Sequence, residues 1–434
     1  MSASQILTRL HQHVASLLRL GDHPEARWNV PRARFLHSLV AAVAGARDVM
    51  ITELVRALPR SGDIKHQYKN FDRMLGEVDL VPLARAQIDL FGPQVGKGGD
   101  WVIPIDLSDI HKKYAVSMEA LGRVRDGSTG ELSVPGYGLA TACAVDISSQ
   151  KTPVPIPLNF EVFSYASQDF VSQPHIWLQM IENIAAHTPG GTFALDREAD
   201  AENIIGRMLD LKRHFVVRMD AGASSRMLRL PDGRRLRVQD IVPELECRGE
   251  IEATRITEEG SGSPYLAEVY FTPVKMPKRA EQLYLCVFFC RKYKEAMVLM
   301  TTHPVRTLPE AGASLARYFA RWTIEELHRF AKQSFRLENI RTLTYHRLQN
   351  IVSAVAMVLG ALGVEGQLPG AEAVLRMMEK ASGRVAARLR AGQFWGYALL
   401  DGFRASILQN PLLLRRNPWL YRYRPDRQLR LFGA

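Results

Sequence analysis

The chain has 434 residues, 47% hydrophobic and 23% charged, enough to bury a full-sized core and to form two or three domains. A net charge of +11 and a pI near 9.5, carried by Arg and Lys rather than His, favour a polyanionic partner, nucleic acid ahead of an acidic membrane. Four cysteines with no repeated spacing speak against a zinc site and for a reducing compartment.

Residues 1–95 are helical in pattern. Apolar residues recur at helical spacing over 31–44 and 51–58, with interruptions at Gly45 and at Pro59-Arg60-Ser61-Gly62. Ser61 or Asp63 can cap a third helix over 64–75, whose exposed positions include Lys65, Gln67, Lys69, Asn70 and Arg73. Three short helices ending in a basic one favour a helix-turn-helix reader of DNA over a plain bundle whose last helix faces water.

From Trp101 the period changes. Strands are expected at 101–106, ending in Asp106, then at 137–145 and 152–163. A helix over 174–187, a strand ending at Asp196, a helix over 200–211 and a strand over 214–218 follow. This order is that of a mixed α/β layer fold. Residues 219–309 break the rhythm with alternating runs at 265–274, 281–290 and 296–302, a β-rich insertion.

The segment Y-F-A-R-W-T-I-E-E-L-H-R-F-A-K, 318–332, reads as one helix. At about 100° per residue, Tyr318, Arg321, Glu325 and Lys332 fall within an arc of about 60°, with Arg329 and Arg336 near the same line. Ile324, Leu327, Phe330, Ala331 and Phe335 form the apolar back. A single carboxylate among cations suits a metal ion beside a phosphate backbone; the plainer reading is a solvated face with an Arg321–Glu325 pair. Residues 351–364 form the longest apolar stretch, interrupted by Ser353, Gly360 and Gly363, and read as a buried helix too short to span a bilayer. The opening residues carry no leader pattern, so a cytoplasmic protein with no membrane partner is expected. From Arg384 onward the chain holds ten Arg, no Lys and two acids, Asp401 and Asp426. That tail suits either nucleic acid or a partner subunit.

Asp106 and Asp196 end apolar strands, where ligands gather in open α/β sheets, and Glu325 sits on the basic helix face. Together they are an oxygen-ligand set for two Mg²⁺ ions, which at a separation of roughly 3.5–4 Å support in-line phosphodiester displacement. Each acid has a rival: Asp109 for Asp106, Glu198 and Asp200 for Asp196, and Glu326 for Glu325, although Glu326 points about 100° away.

Y-x2-R-x3-E-x6-K, filled by Tyr318, Arg321, Glu325 and Lys332, resembles the YREK motif of bacterial insertion-sequence DDE transposases. F-A-L-D-R-E-A-D at 193–200 with F-V-V-R at 215–218 is similar to the stretch around that family's second aspartate, and I-P-I-D-L-S-D-I at 103–110 looks like its first-aspartate strand. The resemblance spans about residues 30–365. It implies a ribonuclease H-like mixed sheet flanked by helices, with the β-rich insertion at about 219–309 before the glutamate helix. Residues 1–95 would be a helical DNA-binding domain, 96–345 the catalytic domain, and 346–434 a helical, Arg-rich region for dimerisation or DNA contact. It implies that Asp106, Asp196 and Glu325 are catalytic and hold two Mg²⁺, with Mn²⁺ able to substitute. Tyr318, Arg321, Lys332 and Arg218 would contact the transposon end, with Arg329, Lys65, Lys69 and Arg73 as further DNA contacts. It also implies a nucleoid-associated homodimer that cuts double-stranded DNA at terminal inverted repeats and joins the 3′ ends to target DNA. One residue departs from the pattern. A Trp that flips a base in some members is replaced here by Met297.

Overall fold

Capping and periodicity build the N-terminal helices. In the computed structural model the described residues are 3–20, 28–58, 63–125, 130–131, 133–148, 155–220, 226–254, 264–290 and 295–367, with 396–397, 400–402 and 404 beyond them. Helix α1 covers Ala3–Leu20, and α2, Val30–Gly45, is capped by the Asn29 side chain. Helix α3 is Ile51–Ala57, and α4, Ile64–Glu77, is capped by Asp63 through Lys65 N. Two one-turn helices, α5 (Val81–Arg85) and α6 (Gln87–Phe91), lead into the sheet.

The strands are β1 (Trp101–His111), β2 (Gly122–Val124), β3 (Val134–Asp146) and β4 (Ile156–Phe163). Helix α7 (Gln173–His187), β5 (Thr192–Leu195), α8 (Glu202–Asp210) and β6 (His214–Met219) follow. The segment expected as an insertion holds a small hairpin, β7 (Met227–Arg229) and β8 (Arg235–Arg237), and a short helix, α9 (Val238–Ile241). It continues through β9 (Cys247–Thr254), β10 (Pro264–Val274), β11 (Leu283–Cys290) and β12 (Glu295–Thr301). Then come α10 (Leu308–Phe319), α11 (Trp322–Phe335) and α12 (Tyr345–Gln367).

One large mixed sheet runs β2-β3-β1-β5-β6-β12-β11-β10-β9, with β4 on β3, and helices cover both faces. Strands β1, β5 and β6 are parallel, whereas β3 and β12 run antiparallel to β1 and β6. The insertion is therefore not a separate lobe. Its last strand, β12, pairs with β6 and carries β11, β10 and β9 onward as an extension of the same sheet.

Strand β1 also runs five residues past Asp106, because β3 pairs with it as far as His111 while its parallel neighbour β5 ends after Leu195. Alternation sorts the side chains by face. Ile103, Ile105, Phe193, Leu195, Phe215 and Val217 enter the core with α7 and α8, whereas Val102, Ala194 and Val216 pack with Leu315 and Tyr318 of α10.

The N-terminal helices share one apolar core with α11 and α12, through residues such as Leu36, Leu39, Leu75, Phe330 and Ile351. Asn350 of α12, fully buried, locks α4 in place: it accepts from Leu80 N at 2.8 Å and donates to Leu75 O at 2.9 Å and Val78 O at 2.8 Å. Helix α12 is longer than the apolar stretch read from sequence. Its window Tyr345–Val364 is long and apolar enough to cross a membrane by length and composition, yet 83% of it is buried within the protein. Most of the Arg-rich tail lies outside the described residues; of its arginines Arg404 is described, and it donates to Ser334 O at 2.7 Å and stacks over the Phe335 ring. All four cysteines are free, and Cys143, Cys286 and Cys290 are buried.

Candidate active site

The parallel register sets the first two acids side by side. Pro104 pairs with Ala194 and Leu195 with Val217, so two steps on from the first pair and one from the second bring Asp106, Asp196 and Arg218 into a row across the sheet. They continue the parity of Val102, Ala194 and Val216 and face α10 and α11.

The helix expected over 318–332 is two helices. Ala320 and Arg321 form the joint, where Arg321 N bonds to Tyr318 O and Ile324 N to Arg321 O, each at 3.0 Å in the tighter i→i−3 pattern. No Pro or Gly sits there. The bend follows from packing, because Ala311, Leu315 and Tyr318 of α10 belong to the core of the central strands, whereas Ile324, Leu327, Phe330 and Phe335 of α11 belong to the core shared with the N-terminal helices. A straight helix could not enter both.

Arg321, at the joint, is 5% exposed and sits among all three acids. Its Nη2 lies 2.5 Å from Glu325 Oε1 and 3.7 Å from Asp196 Oδ2, and its Nη1 lies 3.9 Å from Asp106 Oδ2. Burial opposes the Arg321 charge, but Tyr318, Asp196, Glu325 and Asp106 outweigh it and raise the pKa. Burial pushes the Asp106 carboxyl up to about 7; Arg321 counters this, while Glu325, Asp196 and Glu198 add to it. Tyr318 is buried, donates to Asp196 Oδ1 at 3.2 Å and is also hydrogen-bonded to Arg218. The Tyr318 ring stacks against the Arg321 guanidinium, 5.8 Å away.

Other expected site residues go elsewhere. Lys332 Nζ reaches Asp109 Oδ2 at 3.4 Å, not one of the three acids, and Asp109 also pairs with His111. Arg329 is bound by Glu326 at 2.5 Å, one helical turn back. Arg336 ends α11 in a left-handed conformation (φ 50°) and lies 3.8 Å from Asp48. Among the rival acids, Asp200 pairs with Arg226 at 2.5 Å. On α4, Lys65 and Lys69 are exposed, while Arg73 is held by Glu77 at 2.5 Å and Asn70 at 2.9 Å. Met297 lies half-buried on β12, packed against the core that includes Leu315 and Tyr318 of α10.

One residue went unnoticed in the sequence. His328 is 7% exposed and places Nδ1 3.9 Å from Asp106 Oδ2. Burial, with Lys332 and Arg321 beside it, pushes its pKa down to about 3. Its signal was the Glu325-x-x-His328 spacing, which aligns the two along one helix.

The donor set is chemically apt for hard divalent cations: three carboxylates from three elements, crowded enough to raise one of them, with a guanidinium supplying the balancing charge. Among the described residues, no three His, Cys, Asp or Glu side chains are grouped closely enough as placed to hold an ion, because the acids surround Arg321.

Residues 137–360 match the family model described as transposase DDE domain. The match covers more than half of the chain and holds Asp196, Arg218, Tyr318, Arg321, Glu325 and Lys332; Asp106 and the α4 cations lie upstream of it. No curated protein matches the chain.

Proposed function

The chain belongs to the DDE transposase family, whose activity is transposase-type DNA cleavage and transposition, and from that premise we propose that it acts on the terminal inverted repeats of an insertion sequence. It hydrolyses the phosphodiester at each end and joins the freed 3′ end to target DNA, working as a homodimer. The observation that carries this reading is the convergence of Asp106, Asp196 and Glu325, from β1, the end of β5 and α11, around one buried guanidinium.

In this reading Asp106, Asp196 and Glu325 hold two Mg²⁺, with Mn²⁺ able to substitute. When bound, divalent cations lower the pKa of the attacking water or hydroxyl and offset the charge on the leaving oxygen. With those carboxylates neutralised, Arg321 would be free to turn from the acids to a DNA phosphate. Tyr318, joined to both Asp196 and Arg218, binds the neighbouring phosphates together with Arg218, and Lys332 holds the strand further along α11. Arg329, paired with Glu326, is a further phosphate contact in this reading. Lys65, Lys69 and Arg73 on α4 anchor the repeat, with 1–95 as the DNA-binding part, 96–345 as the catalytic part and 346–434 as the dimerising or DNA-gripping part. A nucleoid-associated, cytoplasmic location follows from that substrate.

The test uses purified protein, Mg²⁺ and a duplex carrying the inverted repeats that flank the reading frame. Nicking with strand transfer is expected, and Asp196→Ala should bind the ends yet fail to nick. Cutting without joining would make it a nuclease, and binding alone a regulator. Undiminished nicking by Asp196→Ala would mean the acid cluster is not the reaction centre.

A further inference from the structure

We propose that His328 is a positioning residue that orients the Asp106 carboxylate for metal binding through the Nδ1 edge of its imidazole. The proposal rests on the reading that Asp106 is a metal ligand. Asp106 Oδ1 is already fixed, accepting from Leu107 N at 3.1 Å. Its other oxygen, Oδ2, is the one available to a ligand, and two groups face it at the same 3.9 Å: Arg321 Nη1 and His328 Nδ1.

These two groups are not equivalent. Arg321 ends a flexible side chain engaged by Glu325 and Asp196, and it is assigned to a phosphate once DNA is bound. His328 is carried on the rigid body of α11, is 7% exposed, and turns Nδ1 towards Asp106, so that carboxylate is the site group it can act through. It lies one turn after Glu325, and the same helix therefore delivers one acid and the group that steers another.

Packing alone does not account for an imidazole here. The neighbours along α11, Ile324, Leu327 and Ala331, are fully buried apolar residues, and a Leu would fill such a place without a desolvated polar edge. His328 Nε2 is buried with no hydrogen-bond partner, so keeping an imidazole here carries a desolvation cost. A ring nitrogen that orients a ligating carboxylate is the recurrent reason for keeping such a group beside a metal site.

Isosteres separate the two ring edges. The Asn amide nitrogen overlays Nδ1, the Gln amide nitrogen overlays Nε2, and Leu removes both. Mn²⁺ is titrated into the full chain without DNA, and free Mn²⁺ is read by electron paramagnetic resonance; thermal melts track folding. His328→Leu and His328→Gln should weaken Mn²⁺ binding about tenfold, while His328→Asn stays within about twofold of the parent, the span expected for a group one step removed from the ion. Equal Mn²⁺ affinity in all three variants, whatever their melting temperatures, would reduce His328 to core packing and overturn the proposal. Loss in His328→Asn as large as in His328→Leu would overturn it too. Asp106→Ala is the control: if it binds Mn²⁺ like the parent, the ligand reading beneath fails, whereas loss there with no change at 328 condemns only the role of His328.

Discussion

Two arginines in this protein make the same local pair with opposite consequences. Arg321 and Arg73 each reach a glutamate four residues further along, Glu325 and Glu77, and each pair closes to 2.5 Å. The Arg321 side chain is 6% exposed and the Arg73 side chain 57%. Around Arg321 the protein adds Asp196, Asp106 and the Tyr318 ring, whereas around Arg73 it adds Asn70 and water. Spacing along the chain cannot tell these pairs apart; the medium around them decides. An exposed i,i+4 pair stabilises by about 0.3–0.5 kcal/mol, while removing one member of a buried cluster costs about 3–5 kcal/mol.

The largest predicted effect tests that contrast directly. Arg321→Ala should lower stability by up to about 3–5 kcal/mol, because it leaves half-buried Asp106 and Asp196 crowded beside exposed Glu325 without their buried counter-charge. Urea unfolding at neutral pH with a chelator present measures it. A loss below about 1 kcal/mol, the range of a surface pair, would erase the difference between the two arginines. Divalent cation should recover part of the loss in Arg321→Ala and none in Arg73→Ala.

A second buried cation sharpens the point, since its partners are neutral. Lys112, 5% exposed just past the end of β1, donates to Leu337 O at 2.9 Å, Glu338 O at 2.8 Å and Ile340 O at 3.0 Å. These bonds tie the strand carrying Asp106 to the chain leaving α11. Lys112→Met keeps much of the stem but strands the carbonyls, and should cost about 2–3 kcal/mol by urea unfolding. A value near zero would mean that water replaces the ammonium at no cost.

What could be read in advance follows the same division. The strands at β1, β5 and β6 and the acids at their ends were legible because a buried parallel strand is a short apolar run, and a polar residue at its end stands out. Asp63 as the cap of α4 was legible for the equally local reason that a carboxylate bonds a nearby amide. The break at Ala320-Arg321 was not, since no residue there is a helix breaker and the bend is imposed by two cores. Nor could helical phase assign Lys332 to Asp109 or Arg329 to Glu326, because phase gives a direction, not the partner waiting in it. The joining of β12 to β6 is a long-range pairing, invisible to any window shorter than the insertion.

Buried charge also sets how the fold responds to acid. His11 of α1 and His37 of α2 are fully buried and share a 2.9 Å Nδ1–Nδ1 hydrogen bond. Burial pushes His37 down to about 3, and burial together with His37 holds His11 well below its ordinary value. A depressed histidine pKa means that the unfolded chain binds more protons below about pH 6.5. The stability is therefore complete above that pH and lost as pH falls from 6.5 towards 3, by about 1.4 kcal/mol per pH unit for each group. His37→Asn should flatten the fall between pH 6 and pH 5 by about 1 kcal/mol, read from urea midpoints. An unchanged slope would show that this pair does not drive acid sensitivity.

The smallest stability effect belongs to the exposed helix, and there the contrast must reverse. Replacing Lys65, Lys69 and Arg73 by Ala together should shift stability by less than about 0.5 kcal/mol, since all three are exposed and only Arg73 is held by other side chains. Their proposed work lies in binding, where each phosphate contact adds about 0.9 to the slope of log affinity against log salt. The triple variant should therefore lose up to about 2.7 from that slope in a salt titration of end binding. Arg73→Ala alone should lose the least, because Glu77 competes with the phosphate for its guanidinium. A salt slope identical to the parent's would detach α4 from the DNA and leave its charge as a solvated face.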